Sequence, residues 1–454
     1  MQLERLIAAL APTDVVGDSA LEIRELAYDA REVPRDSLFF CVPGAKADGH
    51  DFAAQALERG AAALVVERRL ELDATQVIVP SVRAAMPPAA VKFFGDPTAK
   101  LPVAAITGTN GKTTTAYLLW SILAAAGEQP GLLTNMERRV GAEVREVGLN
   151  TPESIDLQRL FREMIDEGNR ACVMEATSIA SAKGRLEGAR FAVLVFTNLT
   201  QDHLDFHGTM EDYFESKRRL FAQAQHAVVN VGDEYGERLA AELPGAITFR
   251  PDDALGDVDL KLAGRFNIEN ALAAATAARA LGIGDAAIKQ GIEAVTRVSG
   301  RFERVDEGQP FTVLVDYAHT PGALETALEA ARELGPGGRL LCVFGAGGDR
   351  DRAKRPLMGR VVAELADVSL VTSDNPRSED PAAIAAEIVA GLDLEVELDR
   401  RRAIERALES ARAGDVVVIA GKGHEQGQEI AGRKLPFDDR EVAREALRRL
   451  GAPT

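Results

Sequence analysis

The stretch "ITGTNGKTTT", residues 106–115, contains the residue types that bind phosphate. It joins the strand-like run "PVAAIT" to the helix-like run "TTTAYLLWSILAAAG". In that context, loop N–H groups face phosphate oxygens, a lysine adds positive charge and a threonine can reach magnesium. The spacing is shorter than the usual G-x-x-x-x-G-K-[ST], because only two glycines frame the loop. We predict a nucleotide-phosphate site formed by Gly108, Thr109, Asn110, Gly111, Lys112, Thr113 and Thr114.

Two residues of metal-ligand type follow predicted strands further along the chain. Glu175 ends "ACVME", and His203 follows "FTNLTQD". Because α/β proteins bind ligands at the carboxyl ends of strands, these side chains could share a magnesium ion. The alternative for His203 is a capping or otherwise satisfied histidine. Composition alone makes Lys217, in "MEDYFESKRRLF", a solvated helix residue.

Further polar residues lie where strands should end in the last third of the chain. Arg301 in "GRFERVD" and Asp316 after "TVLV" suit a triphosphate and its ribose or metal. Asn375 and Arg377 in "SDNPRSEDP" come directly after the apolar run "ADVSLVTS". An arginine fork and an amide suit a carboxylate, and a proline turn with an exposed arginine is the alternative.

The elements that must position these residues alternate between strand-like and helix-like runs, which predicts mostly parallel sheets covered by helices. One series starts near residue 100 and a second near Gly300, and the first hundred residues carry strand and helix signals of their own. The prolines of "FFGDPTAKLP" indicate a linker. We therefore predict an α/β protein with three domains, at residues 1–98, 99–299 and 300–454.

Composition limits the classes of function. The formal net charge of −17 disfavours non-specific binding to nucleic acid or anionic membranes. Apolar runs fall short of the ~20 residues that span a bilayer, and "MQLERLIAALAPTD" lacks the layout of a signal peptide. Cys41, Cys172 and Cys342 sit in apolar runs without ligand spacing, so we expect buried thiols. These features predict a cytoplasmic protein.

The motifs taken together resemble those of the Mur ligase family of ATP-dependent amide-bond synthetases. The resemblance runs through nearly the whole chain. It rests on "DGHDF", "GTNGKTTT", "FTNLTQDHLDFHGTMEDYFESK", "GRFNIENALAA", "GRFERVD", "VDYAHTPGALE", "GAGGDRDRAKRPLMG", "DNPR" and "GKGHEQ". It implies an N-terminal UDP-binding α/β domain, a central ATP-binding domain of P-loop type with a mostly parallel sheet, and a C-terminal Rossmann-like α/β domain.

The resemblance also implies roles for matching residues. The loop from Gly108 to Thr113 would hold ATP phosphates, and Asn267, Arg301 and Asp316 match adenine, phosphate and ribose contacts. Magnesium would be held by Thr113, Glu175 and His203, together with Lys217, which falls where the family has a lysine carbamylated by CO2. Lys112, Lys217, His203, Glu175 and Arg301 would be the catalytic residues, with ATP and Mg²⁺ as cofactors.

In this family, "DNPR" accompanies meso-diaminopimelate as the incoming amino acid, and lysine-adding members generally differ here. The acceptor implied is UDP-N-acetylmuramoyl-L-alanyl-D-glutamate, in peptidoglycan precursor synthesis. The incoming amino acid would be bound by Arg350, Asp374, Asn375, Arg377, Gly421 and Glu425. The acceptor would be bound by Asn150, Thr151, Ser178, Lys183 and Arg185. The family also suggests a monomer with small-molecule substrates as its partners.

The chain departs from the family pattern on the acceptor side. Ala30 replaces the serine of D-S-R, and Asn150 replaces the first threonine of T-T-P. Ile179 and Lys183 stand where a histidine and a glutamine are expected. Three interpretations therefore stay open: the diaminopimelate ligase, a paralogue that uses another carboxylate acceptor, and a non-catalytic protein that binds ATP or a cell-wall precursor.

Overall fold

The computed structural model describes residues 1–44 and 47–451 and shows an α/β protein, as predicted. Its sheets are mostly parallel and carry helices in the alternating order that the sequence indicated. Cys41, Cys172 and Cys342 are buried free thiols, which confirms their prediction. No helix in the described part of the chain has the length and apolar character needed to cross a membrane.

The N-terminal part builds a five-stranded sheet in the order β1-β5-β4-β3-β2. Neighbouring strands are parallel, except that β1 runs antiparallel to β5. Its core lies under α1 and α3, where Leu38, Phe40 and Val65 are fully buried. The elements are α1 (Glu4–Leu10), β1 (Asp14–Val16), β2 (Glu25–Ala27), β3 (Ser37–Phe40), α2 (Ala53–Glu58), β4 (Ala61–Val66), β5 (Thr75–Ile78) and α3 (Val82–Phe94).

The next part begins with the strand that precedes the phosphate loop. Strand β10 lies between β6 and β7, parallel to both, and an antiparallel extension adds β8 and β9. The strand order is β12-β11-β6-β10-β7-β8-β9. The elements are β6 (Val103–Thr107), α4 (Lys112–Ala125), β7 (Pro130–Leu133), β8 (Arg138–Val140), β9 (Glu143–Arg145), α5 (Ser154–Asp166), β10 (Ala171–Glu175), α6 (Ser178–Ala182), β11 (Phe191–Phe196), α7 (Leu204–His207), α8 (Met210–Arg218) and β12 (Ala224–Asn230).

The stretch that follows β12 leads into the last sheet. The end of β12, from Val228, pairs in parallel with β13, and helices α10 and α11 both pack on α4. Asn267 lies in α10, and Arg301 lies at the C-terminal end of the stretch, just before the last sheet. The elements are α9 (Glu234–Glu242), β13 (Ile247–Phe249), α10 (Arg265–Ala280) and α11 (Asp285–Ala294).

The last part forms a six-stranded sheet in the order β14-β15-β19-β16-β17-β18, parallel apart from the edge strand β14. A separate hairpin pairs β20 with β21. The elements are β14 (Glu303–Val305), β15 (Thr312–Asp316), α12 (Pro321–Leu334), β16 (Leu340–Phe344), α13 (Lys354–Leu365), β17 (Val368–Val371), α14 (Pro381–Val389), β18 (Glu395–Val396), α15 (Arg400–Ser410), β19 (Val416–Ala420), β20 (Gly427–Ile430), β21 (Arg433–Pro436) and α16 (Asp439–Gly451).

Local sequence sets the helix starts in this last part. Oγ1 of Thr320 accepts a hydrogen bond from the backbone N–H of Ala323, and Pro321 occupies the first position of α12. Asp380 and Pro381 start α14 in the same way. A polar cap followed by proline satisfies free N–H groups and presets the helical φ. These starts place each helix directly after the loop that follows a parallel strand.

The described chain divides into two compact units. The first comprises Met1–Thr107, Gly127–Val195 and Ser216–Ala227, and the second comprises Gly108–Ala126, Phe196–Glu215 and the chain from Val228 onward. The domain limits at residues 98 and 299 stay a prediction.

Candidate active site

The loop between β6 and α4 requires glycine at two positions. Gly108 has a φ of +140° and Gly111 a φ of +85°, which side chains other than glycine rarely adopt. A Cβ added at Gly108 would lie 1.9 Å from Oγ1 of Thr197, and one added at Gly111 would lie 2.2 Å from Oδ1 of Asn270. Backbone conformation and close neighbours therefore both fix the two glycines that frame the predicted phosphate loop.

Lys112, the first residue of α4, turns its side chain back onto this loop. Its Nζ donates to the carbonyl oxygens of Gly108 at 3.0 Å and Thr109 at 2.8 Å. The backbone N–H groups of Thr109 and Asn110 donate to the carbonyl and Oδ1 of Asn198, at 2.8 and 2.9 Å. The loop is thus held in place with a positive charge at a helix N-terminus, an arrangement that attracts phosphate.

Arg301 contacts the first turn of the same helix. Its Nη2 donates to Oγ1 of Thr113 at 3.0 Å, and its guanidinium carbon lies 4.4 Å from the ring centroid of Tyr317. Thr113 and Thr114 are both buried. Because stacking on an aromatic ring restricts the planar guanidinium, Arg301 holds a defined position beside the loop. The structure therefore brings this arginine together with the predicted phosphate site.

Helix α10 supplies two asparagines, of which the sequence analysis singled out one. Asn267 is buried and donates through Nδ2 to the carbonyl of Ala263 at 2.7 Å. Asn270 donates to Oδ1 of Asn267 at 3.0 Å and accepts from Oγ1 of Thr115 at 3.3 Å. Asn270 therefore links α10 to α4, a role whose only sequence signal is its place in the motif "GRFNIENALAA".

Asp316 ends β15, as predicted, and its carboxylate accepts two backbone hydrogen bonds. These come from the N–H groups of Phe302 at 2.6 Å and Ala318 at 2.7 Å. Burial raises the pKa of Asp316, and Arg301 together with the two N–H groups opposes that rise. The carboxylate is thus fixed in direction, with a cation near it.

His203 belongs to a cluster centred on Asp202. Oδ2 of Asp202 lies 3.4 Å from Nε2 of His203 and 3.8 Å from Nε2 of His319, and Oδ1 lies 3.5 Å from Nζ of Lys354. Burial alone would raise the pKa of Asp202, but Lys354 and the two histidines lower it below its ordinary value. His203 flanks α7 without a capping hydrogen bond from its side chain. His203 therefore makes no capping hydrogen bond through its side chain, and its contact with Asp202 agrees with the other alternative, a satisfied histidine; its role in binding magnesium stays a prediction.

Glu175 lies in the first unit, at the end of β10, where the sequence predicted it. Its side chain is 2% exposed, and its Oε1 accepts from the backbone N–H of Asn135 at 3.3 Å. Oγ1 of Thr151 donates to the Glu175 carbonyl at 3.0 Å and also contacts Oγ1 of Thr177 at 3.1 Å. The carboxylate therefore stands on a hydrogen-bonded strand end beside a predicted acceptor residue.

Lys217 corrects one interpretation of the sequence. Composition alone made it a solvated helix residue, but in α8 it is only 1% exposed. The carbamylation of Lys217 that the family resemblance implies stays a prediction.

The remaining predicted acceptor residues lie in the same unit. Arg185 pairs with Glu153 at 2.8 Å and donates to the carbonyl of Thr151 at 3.4 Å. Ser178 is buried at the start of α6, and Asn150 is exposed. Burial lowers the pKa of Lys183, and the positive charges of Arg185 and Arg83 add to the effect. Ala30 is buried.

The loop after β17 carries "DNPR", and the hairpin β20–β21 holds its arginine. Arg377 has a φ of +52°, its N–H donates to the carbonyl of Glu429 at 3.0 Å, and its carbonyl accepts from Ala431 at 2.7 Å. Its Nη1 donates to the carbonyl of Gly348 at 2.8 Å, and its Nε lies 3.4 Å from Oε2 of Glu429. The alternative of an exposed arginine on a simple turn is therefore wrong.

The loop after β19 contacts the same residues. Nδ2 of Asn375 donates to Oε2 of Glu425 at 2.8 Å. Gly421 has a φ of +118°, and a Cβ added there would lie 3.3 Å from Oδ2 of Asp374. Arg350, from the loop after β16, is exposed and donates through Nη1 to the carbonyl of Asp349 at 2.9 Å. Three loops at the carboxyl ends of parallel strands thus meet around "DNPR".

Two buried cations in this region escaped the sequence analysis. Arg355 is fully buried and pairs with Glu379 at 2.8 Å and Glu387 at 2.9 Å. Lys422 is also fully buried and lies 2.9 Å from Oδ1 of Asn375. Both stand inside motifs of the family resemblance, but sequence alone contains no measure of their burial.

The predicted magnesium ligands do not form a cluster of acidic and histidine side chains by themselves in the described part of the chain. Among residues 1–44 and 47–451, no three His, Cys, Asp or Glu side chains group closely enough to hold a metal ion. Of the predicted magnesium ligands, only Glu175 and His203 are of those types. Their assignment with Thr113 and Lys217 stays a prediction.

Three protein-family models match this chain. The Mur ligase family catalytic domain matches residues 22–94, the Mur ligase middle domain residues 106–254, and the Mur ligase glutamate ligase domain residues 300–423. A UDP-N-acetylmuramoyl-L-alanyl-D-glutamate--2,6-diaminopimelate ligase of Geobacter metallireducens is 43% identical, over 100% of this chain and 99% of its own. The ligase of the same name from Geobacillus kaustophilus is 44% identical over 95% and 96%. The chain belongs to the Mur ligase family.

Solved structures agree with this assignment. A structure of UDP-N-acetylmuramoyl-L-alanyl-D-glutamate--2,6-diaminopimelate ligase is 30% identical, with a TM-score of 0.66 and coverage of 98% of this chain and 99% of that chain. The MurF ligase of Thermotoga maritima in complex with ADP shares the fold, at 21% identity, a TM-score of 0.64 and coverage of 94% and 97%. The predicted three-domain α/β fold class is confirmed.

Proposed function

We propose that this chain adds meso-diaminopimelate to UDP-N-acetylmuramoyl-L-alanyl-D-glutamate in peptidoglycan precursor synthesis, with conversion of ATP to ADP and phosphate. The observation that carries the proposal is end-to-end similarity, at 43% identity, to relatives named for this ligation. The geometry supports it, because a phosphate loop contacted by Arg301 and a separate group of loops around "DNPR" suit the two classes of substrate.

ATP binds at the loop from Gly108 to Thr114 in this proposal. The phosphates would contact the N-terminal turn of α4 and the Lys112 ammonium, and Arg301 contacts the same helix turn. Asn267 and Asp316 contact the adenine and the ribose, roles that rest on the family resemblance. Hydrogen bonds within the protein fix the direction of both side chains.

The reaction proceeds in two steps. An oxygen of the acceptor carboxylate attacks the γ-phosphorus of ATP, and the bond from that phosphorus to the β-phosphate oxygen breaks. ADP departs, and the acceptor becomes an acyl phosphate. The amine of the incoming amino acid then attacks the acyl carbon through a tetrahedral intermediate. Phosphate leaves, and the amine nitrogen loses a proton. Lys112 and Arg301 offset the repulsion between carboxylate and triphosphate.

The proposed magnesium ligands are Thr113, Glu175 and His203, together with Lys217. Glu175 and Lys217 are both buried in the first of the two units, and their roles rest on the family resemblance. Carbamylation joins the neutral Lys217 nitrogen to CO2 and releases one proton, which leaves a carboxylate at the end of that side chain. When bound, magnesium would neutralise negative charge on the phosphates.

Selection of meso-diaminopimelate rests on its second amino-acid head, which lysine lacks. Arg377 and Asn375, with Arg350, provide donors for the extra carboxylate. Gly421 and Glu425 accept the ammonium in this proposal, and Asp374 lies next to Gly421. The fixed contact between Asn375 and Glu425 supports this assignment.

On the acceptor side, the proposed contacts are Asn150, Thr151, Ser178, Lys183 and Arg185. A second candidate function, ligation to a different carboxylate acceptor, draws on this side alone. Ala30 and Ile179 lack the polar groups that the family pattern has there, and Lys183 adds a positive charge. A non-catalytic role ranks below both, because all five proposed catalytic residues are present.

The cellular setting follows from the substrates. ATP and a UDP-linked precursor are cytoplasmic metabolites, so we place the chain in the cytoplasm as a monomer that binds small molecules. We keep the domain limits 1–98, 99–299 and 300–454 as a proposal, assigned to acceptor, ATP and amino acid respectively.

Phosphate release tests the proposal. Purified protein is incubated with ATP, Mg²⁺ and UDP-N-acetylmuramoyl-L-alanyl-D-glutamate, with either meso-diaminopimelate or L-lysine. Release with meso-diaminopimelate alone is expected. Release with neither amino acid, from protein that still binds ATP, would overturn the acceptor assignment and favour the second candidate.

A further inference from the structure

Lys422 is a fully buried cation on the loop after β19, one of the three loops that meet around "DNPR". It is the second residue after β19, and its Nζ lies 2.9 Å from Oδ1 of Asn375 and 3.2 Å from Oε2 of Glu425. Oδ1 of Asp374 is 3.5 Å away. One ammonium group therefore serves an amide and two carboxylates. Without it, the carboxylates of Asp374 and Glu425 would lose the cation that they share, and an unpaired charge is costly at Asp374, which is buried.

The same lysine determines which way the Asn375 amide points. Oδ1 of Asn375 accepts from Lys422 and also from the backbone N–H of Glu429, at 3.0 Å. A rotated amide would turn its N–H groups toward two donors, because an ammonium cannot accept a hydrogen bond. The Nδ2 group is therefore directed to Glu425, where it donates at 2.8 Å.

We propose that Lys422 is a positioning residue for amino-acid selectivity, which locks Asn375 and Glu425 into a pair that reads the second head group of the incoming amino acid. This inference rests on the proposed function. The pair presents an N–H donor and a carboxylate on adjacent side chains. A head group with both an ammonium and a carboxylate matches both, whereas the ammonium of L-lysine matches only one.

The first test removes the charge and keeps the length of the side chain. Lys422→Met is expected to raise KM for meso-diaminopimelate by about 10- to 100-fold, the loss that accompanies a charge-assisted hydrogen bond. Both kcat and KM for ATP should stay nearly unchanged. The preference for meso-diaminopimelate over L-lysine should fall by a similar factor. Lys422→Arg, which keeps the cation, should restore part of the selectivity.

Arg339→Met is the matched control. Arg339 pairs with Asp415 at 2.7 Å, and these residues precede β16 and β19, at the opposite end of the strands from Lys422. Its removal also takes a cation from the same part of the chain. It should lower stability without changing KM for meso-diaminopimelate.

Two outcomes would overturn the role of Lys422. One is unchanged KM and selectivity in folded Lys422→Met, or in Lys422→Gln if the methionine variant does not fold. The other is a crystal structure of the variant that keeps the contact between Asn375 and Glu425. A wild-type protein that fails to ligate meso-diaminopimelate would instead refute the proposed function, and the crystal structures of wild type and variant would still decide the positioning role.

Discussion

Nη2 of Arg301 donates a hydrogen bond to Oγ1 of Thr113, so an arginine from just before β14 contacts the helix turn that follows the phosphate loop. We expect Arg301→Met to lower kcat on the order of 10² to 10³, the usual cost of losing one donor to developing charge. Arg301→Lys should recover little of the lost kcat, because an ammonium cannot stack on the Tyr317 ring and lacks the planar set of donors of a guanidinium. Phosphate release measures both.

Arg304→Met provides the control for the Arg301 variants. Arg304 is 63% exposed and pairs only loosely, at 3.7 Å, with Asp306. Turnover should be unchanged in this variant. Equal loss in Arg304→Met and Arg301→Met would point to a general effect of charge and contradict a specific role for Arg301.

Lys217 should carry a carbamate in the folded protein. Protein equilibrated with ¹³C-bicarbonate is expected to show a carbamate carbon in its ¹³C NMR spectrum, because Lys217 is buried and stands where the family resemblance implies a carbamylated lysine. Lys217→Ala should lack this signal and lose turnover, whereas Lys289→Ala, at a half-exposed lysine, should keep both. A Lys217→Ala protein with unchanged turnover would exclude a role in the metal site.

The fully buried pair of Arg400 and Asp439 should dominate the stability of the last sheet. Arg400 donates to both carboxylate oxygens, at 2.8 and 2.7 Å. Arg400→Leu leaves a buried carboxylate without its partner and should lower the free energy of unfolding by about 3–5 kcal/mol. Urea titration checks this value. Replacing both residues by leucine should restore most of the loss.

Arg401→Leu is the matched control for the Arg400 variant. Arg401 is the next residue on α15, is 46% exposed and pairs with Glu445 at 2.6 Å. An exposed pair of this kind contributes about 0–1 kcal/mol. An equal loss of unfolding free energy in Arg400→Leu and Arg401→Leu would contradict a larger contribution from the buried pair.

Glu379 should make stability depend on acid pH. Hydrogen bonds from Arg355 lower its pKa from 4.5 to about 2. A carboxylate with a lowered folded-state pKa stabilises the fold above pH ~4.5 and loses that contribution as pH falls toward 2. The difference in unfolding free energy between wild type and Glu379→Gln should therefore be largest near neutral pH and shrink in acid.

Glu325→Gln, on the exposed face of α12, tests whether the pH effect is specific to Glu379. Its difference from wild type should stay small across the same pH range. A Glu379→Gln difference that does not change between pH 7 and pH 3 would contradict the ion pair with Arg355.

Sequence patterns predicted the long buried strands and the helices between them, because β6, β10, β16 and β19 are continuous apolar runs. They did not predict β8, β9 or β21, whose residues are mostly charged or polar. Each forms a hairpin with the strand next to it in the chain, so backbone pairing holds it in place and it has no apolar run of its own. Local composition therefore contains little information about them.

The residues of the candidate site also separate into those that local sequence predicts and those that it does not. The glycine loop and the strand-end position of Glu175 follow from local sequence, since each depends on residues next to it in the chain. The burial of Lys217 and Lys422 depends on segments far away, so composition suggested a solvated residue at Lys217 and no role at Lys422. The motif resemblance identified Lys217 but not Lys422.

Arg377 is fastened through its main chain to the hairpin β20–β21, some fifty residues further along the chain. A protein engineer who wished to transplant this amino-acid preference into another ligase would therefore have to move two separate pieces together. A graft of the tetrapeptide "DNPR" alone would supply the arginine without the backbone hydrogen bonds to the hairpin that hold it in position. A chimeric ligase should therefore take the "DNPR" loop and the hairpin β20–β21 from the same parent.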